Sequence, residues 1–90
     1  VQEDNIEKVT AERGREYGDF ATQATLAQYL KNYVRSTEGW NRLNAHQRES
    51  LDMIMHKVAR ILNGNPNNRD SWVDIAGYAH IVAIRIIDKV

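Results

Sequence analysis

Apolar residues recur at steps of three and four along nearly the whole chain, and no stretch alternates apolar and polar residues as a half-buried strand would. The pattern predicts about four helices. The first, over residues 4–13, is mostly charged, with Ile6 and Val9 as its large apolar residues, so a marginal helix packed through those two is expected. Arg13-Gly14-Arg15-Glu16-Tyr17-Gly18-Asp19 then breaks the pattern, because its two glycines can take positive φ. Asp19 is placed to cap a second helix with the stripe Phe20, Gln23, Leu26, Ala27, Leu30, Tyr33 and Val34, ending near Arg35.

Asn44 is placed to cap the third helix, whose face of Leu51, Ile54, Met55, Val58, Ile61 and Leu62 has the clearest helical spacing so far. Gly64 is expected to end it in the left-handed conformation, and Asn65-Pro66-Asn67-Asn68 is a turn. Asp70 is then the expected cap of a last helix running to about Lys89. Its stripe is Trp72, Ile75, Ala76, Ala79, Val82, Ala83, Ile86 and Ile87, and Val73, Gly77, Ile81 and Ile84 widen the arc past half the circumference. Only Tyr78, Arg85 and Lys89 remain as a polar strip. A helix this apolar is central in its domain or shared with a second chain. The fold class is therefore all-α, one helical domain over residues 1–90, oligomeric through the C-terminal helix.

Composition narrows the partners. Lys plus Arg number 12 and Asp plus Glu 12, so no net field draws in nucleic acid, which is not favoured as a partner. With no cysteine, disulfides, zinc–thiolate sites and thiol nucleophiles are excluded, in keeping with a cytoplasmic protein. No apolar run is long enough to span a bilayer, so no membrane partner is expected. The chain starts at Val1 rather than Met, as a trimmed N-terminus or a fragment would.

Chemistry is concentrated in the last two helices. Glu49, Asp52, His56 and Arg60 lie three or four residues apart along one side of the third helix. They suit either intrahelical ion pairs on a solvated face or a divalent ion held by Glu49 and Asp52 with His56 beside it. Asp74 shares a side of the fourth helix with Gly77 and Ile81, and an acid among apolar neighbours needs a partner, for which Lys57, Arg60 and Arg69 are candidates. Gly77 in a helix interior points to close approach of a neighbouring helix or a ligand. Lys57 and Arg60 near a helix C-terminus, with Arg69 just beyond the turn, fit the helix dipole or, alternatively, phosphate oxygens. His46 and His80 read as surface or packing residues, and Trp40 and Trp72 as core or interface aromatics.

The strings Lys57-Val58-Ala59-Arg60 and Arg69-Asp70-Ser71-Trp72-Val73-Asp74-Ile75-Ala76-Gly77-Tyr78-Ala79 resemble the core of a small family of uncharacterised phage and prophage proteins. The Arg13 to Gly18 stretch looks like that family's basic segment ending in Tyr-Gly, without its Gly-Asp-Arg opening. The family is in turn distantly similar to the MazG-like all-α nucleoside triphosphate pyrophosphohydrolases. That resemblance implies a helical, oligomeric bundle and Mg²⁺ held by acids on two helices. Asp74 matches the final Asp of the enzymes' pattern, Asp70 is an approximate counterpart of the preceding Glu, and Glu49 and Asp52 stand in for the first pair. Two functions follow. The chain is a non-enzymatic interaction or regulatory module acting on a host or phage protein, with Lys57, Arg60, Asp70 and Asp74 as an ionic cluster. Alternatively it binds a nucleotide, with or without Mg²⁺-dependent hydrolysis, through Glu49, Asp52, Asp70 and Asp74 for metal and Lys57, Arg60 and Arg69 for phosphate.

Overall fold

The computed structural model describes residues 2–87. They form four α-helices: α1 Gln2–Tyr17, α2 Phe20–Arg35, α3 Ala45–Asn63 and α4 Arg69–Ala83, with a 3₁₀ turn over Glu38–Arg42 before α3. No strand occurs among the described residues. The all-α expectation holds at this level, with differences at the helix ends that have local causes.

Two caps lie where expected. Asp19 accepts from the Thr22 backbone N–H at 3.0 Å and from its hydroxyl at 2.9 Å. Asn44 and Gln47 close a reciprocal capping box, each side chain accepting from the other's backbone N–H at 3.0 Å. The fourth helix is capped by Asn68 rather than Asp70 and starts two residues earlier, because the Asn68 side chain accepts from Ser71 N–H at 3.2 Å. Asp70 lies inside the first turn, where its charge suits the helix dipole. That helix also ends early. The chain tightens after Ala83 into i to i+3 bonds, Arg85 N–H to the Val82 carbonyl and Ile86 N–H to that of Ala83. The β-branched run beyond lacks the packing that would offset its lower helix propensity. Lys89 lies outside the described residues.

The first helix is longer than the sequence suggests. It runs unbroken through Gly14 to Tyr17, and Ile6 and Val9, expected to anchor it, are exposed. It touches the remaining helices mainly through its last turn.

α3 is the central helix, packed between α2 and α4. The buried residues are few, and most are Ala or Ser: Ala27 and Gln23 from α2, Ser50, Met55 and Ala59 from α3, and Ser71 from α4. With so few large side chains buried, the bundle has no deep core. The molecule is accordingly elongated, 54 × 26 × 26 Å, with a Cα radius of gyration of 15.8 Å. A compact chain of this length would have about 12 Å.

The fourth helix is therefore peripheral. It packs on α3 through Ser71, Ile75, Tyr78 and Val82, so Tyr78 belongs to the inner face rather than to a polar strip. Much of the expected stripe faces outward, including Trp72, 54% exposed, and Ile86 and Ile87 beyond the helix, as do Val73, Ile81 and Ile84. On α2 and α3, Phe20, Tyr33 and Leu62 are likewise exposed. No helix among the described residues is long and apolar enough to cross a membrane.

Candidate functional site

The two chain reversals, residues 18–19 and 64–68, meet at one end of the bundle, and glycine makes the meeting possible. Gly18 has φ +81°, and a side chain there would collide with the Asn63 backbone carbonyl. At Gly64 a Cβ would strike the Glu16 carbonyl and the Tyr17 backbone. Gly64 does not adopt the expected left-handed conformation (φ −137°), so close approach is what selects glycine there. Asn63 donates from Nδ2 to the carbonyls of Tyr17 and Asp19, both at 2.9 Å, and Asn65 N–H donates to the Glu16 carbonyl at 2.8 Å. Glu16 Oε1 accepts from Asn65 Nδ2 at 3.1 Å and from Asn68 Nδ2 at 2.7 Å. In sequence these residues are a break between helices and a turn, with nothing that points to their meeting beyond a glycine in each loop and the asparagines flanking Gly64.

This latch places α1 over the last turns of α3. There the Arg60 guanidinium carbon lies 4.5 Å from the centre of the Tyr17 ring, within cation–π range. Arg60 Nε is buried and makes no hydrogen bond. One turn earlier on the same helix, Lys57 Nζ pairs with Asp74 Oδ2 at 2.9 Å. The Lys57 side chain is 12% exposed and that of Asp74 45%, so this is a half-buried bridge joining α3 to α4. It meets the need for a partner raised by Asp74's position.

The expected ionic cluster is thus smaller than four residues. Lys57 and Asp74 pair, Arg60 turns to Tyr17, and Asp70 is exposed with no ion pair among the described residues. Arg69, the first residue of α4, is exposed. Glu49 is exposed, and Asp52 is drawn away to α2 by Arg35, Nη2 to Oδ2 at 3.0 Å. Since α3 and α4 form an antiparallel hairpin, Glu49 and Asp70 lie toward opposite ends of it, roughly 18 Å apart along the axis at 1.5 Å per residue. Among the described residues no group of three or more His, Asp or Glu side chains is arranged to hold a metal ion. The four acids therefore do not fit a shared Mg²⁺, and no hydrolytic step is derived through one.

His56 is half-buried on α3. Its pKa is lowered, first by burial and then by the charges of Arg60, Lys31 and Lys57. It is neutral at pH 7, and its surroundings are electropositive. Gly77, expected at a close contact, has no neighbour within 4 Å of where its Cβ would be. Trp72 donates from Nε1 to the Pro66 carbonyl at 2.9 Å, while Trp40 lies 5.7 Å beneath the Arg48 guanidinium.

Two surfaces are available for recognition. One is a cleft of about 480 Å³ between α1, α2 and the end of α3, lined by Arg13, Tyr17, Phe20, Gln23 and Arg60 among others. The other is a shallower apolar groove between α3 and α4, of about 250 Å³, with Leu43, Leu51, Ile54, Tyr78 and Val82 in its walls. Exposed isoleucines of α4 and its extension lie on the same part of the chain. No curated protein and no solved structure matches the chain. The profile of the family described as "Domain of unknown function (DUF6378)" matches residues 2–85, nearly the whole chain, which therefore belongs to that family.

Proposed function

We propose that the chain is a small phage-type, non-enzymatic interaction or regulatory module, which self-associates through α4 and acts on a host or phage protein. The observation that carries this reading is the exposed apolar surface of α4 and the residues after it: Trp72, Val73, Ile81, Ile84, Ile86 and Ile87 are between 42% and 83% exposed. Scattered apolar residues on a surface are ordinary, but six exposed on one helix and the residues after it, with an apolar groove against the same helix, favour a partner-binding face. The thin core points the same way, since burying those residues against another chain adds apolar contact that these helices do not make among themselves.

The alternative is a MazG-like nucleotide-binding protein or Mg²⁺-dependent pyrophosphohydrolase. The electropositive end of α3, with Lys57 and Arg60, supports phosphate binding. The dispersal of Glu49, Asp52, Asp70 and Asp74 favours the interaction module.

A photo-crosslinking amino acid at position 81, with position 29 on the outer face of α2 as control, tests the proposal in cells making the protein. Defined crosslinked products (a second copy and one distinct protein) are expected from position 81 and not from 29. Equal, diffuse crosslinking from both positions would count against a specific face.

A further inference from the structure

The cleft at the latched end of the bundle has a wall that folding does not explain. Gln23 is 4% exposed and borders the cleft. Arg60 is half-buried, with Nε sealed from solvent and unbonded and no carboxylate within ion-pairing distance among the described residues. Arg13, on α1, adds a second guanidinium from the exposed side. A desolvated cation is costly unless something pairs with it.

The neighbouring acids do not fill that role. Asp19 Oδ2 is taken by the N–H and hydroxyl of Thr22, and Glu16 Oε1 by the carboxamides of Asn65 and Asn68. The Arg13, Arg60 and Gln23 side chains thus line the cleft with neither acid's bonded oxygen turned to them. The aromatic side of the cleft is open: one face of Tyr17 carries Arg60, and Phe20, 74% exposed, stands at the rim. A volume of about 480 Å³ is in the range that holds a small organic molecule.

We propose that this cleft binds a small aromatic oxyanion. Arg60, Arg13 and the Gln23 Nε2–H group take the oxyanion, a phosphate or carboxylate, and the attached ring lies against Phe20. The site is separate from the apolar face of α4 and does not depend on the interaction reading. It uses neither a metal nor the acids of α3 and α4.

Side-chain resonances report on it directly. The wild-type protein is titrated with phenyl phosphate, benzoate and inorganic phosphate while the Arg60 Nε–H and Gln23 carboxamide signals are followed by ¹⁵N NMR. Phenyl phosphate or benzoate is expected to shift both signals saturably, and the stronger of the two identifies the oxyanion. Inorganic phosphate should bind more weakly and move chiefly Arg60. Phe20→Ala, a substitution at an exposed position, should weaken the aromatic probe several-fold and leave inorganic phosphate unchanged. Arg60→Gln should weaken all binding at least tenfold. If Arg60→Gln does not fold, Arg13→Gln at its exposed position decides, with a several-fold loss expected. No saturable shift at millimolar probe, or equal shifts at the distant Arg42, would overturn the site. Indifference to Phe20→Ala would overturn its aromatic half.

Discussion

Glycine has opposite meanings at two positions in this chain, and stability measurements can separate them. Gly18 occupies the left-handed region and abuts Asn63, so Gly18→Ala combines backbone strain with a clash. It should lower the free energy of unfolding by about 2 kcal/mol or more in urea titrations. Gly77 sits in α4 with open space where a Cβ would go. Gly77→Ala should raise the stability of the monomer by roughly 0.5–1 kcal/mol, through helix propensity alone. His56 supplies a pH signature. Its folded pKa lies below the ordinary 6.5, so the unfolded chain binds the proton more readily. Stability is full above about 6.5 and falls as the pH drops from there toward the lower folded value. The urea midpoint should decline over that window in the wild type, and His56→Gln should flatten the decline.

At the scale of elements, the bundle is joined by two unlike devices. The α3–α4 pair is held by packing along its length and by the Lys57–Asp74 bridge, whereas α1 is attached through polar contacts at its last turn. Asn63 bonds to two carbonyls across that junction, so Asn63→Ala should cost about 1–2 kcal/mol. It should also release α1 selectively. Hydrogen exchange of the backbone amides in α1 is expected to accelerate while that in α3 keeps its protection. Equal acceleration in both helices would mean that α1 is coupled to the core more tightly than its contacts suggest.

For the whole molecule, the elongated form and the outward isoleucines carry the consequence. Sedimentation of the wild type across a range of concentrations should show reversible self-association. The double substitution Ile81→Glu, Ile84→Glu should sediment as a monomer with unchanged helical circular dichroism, since both side chains are exposed. A wild type that stays monomeric throughout would assign the face to a different protein.

Periodicity and capping chemistry are local, and they were legible in the sequence. The all-α class, the stripe of α3 and the Asp19 and Asn44 caps depend on residues within a turn or two of one another. The Asp74 requirement was legible too, because an acid among apolar neighbours on one helix face needs a counter-charge wherever the chain goes. Which cation meets it was decided by the antiparallel register of α3 and α4, which places Lys57 opposite. Tertiary structure also made α3 the central helix and α4 the outer one. Hydrophobicity states how much surface could be buried, but not whether a neighbour within the same chain is there to bury it. The cleft arises in the same way. Tyr17, Gln23 and Arg60 are unremarkable on their own helices, and they share a site only because two glycine-dependent reversals bring the loops together.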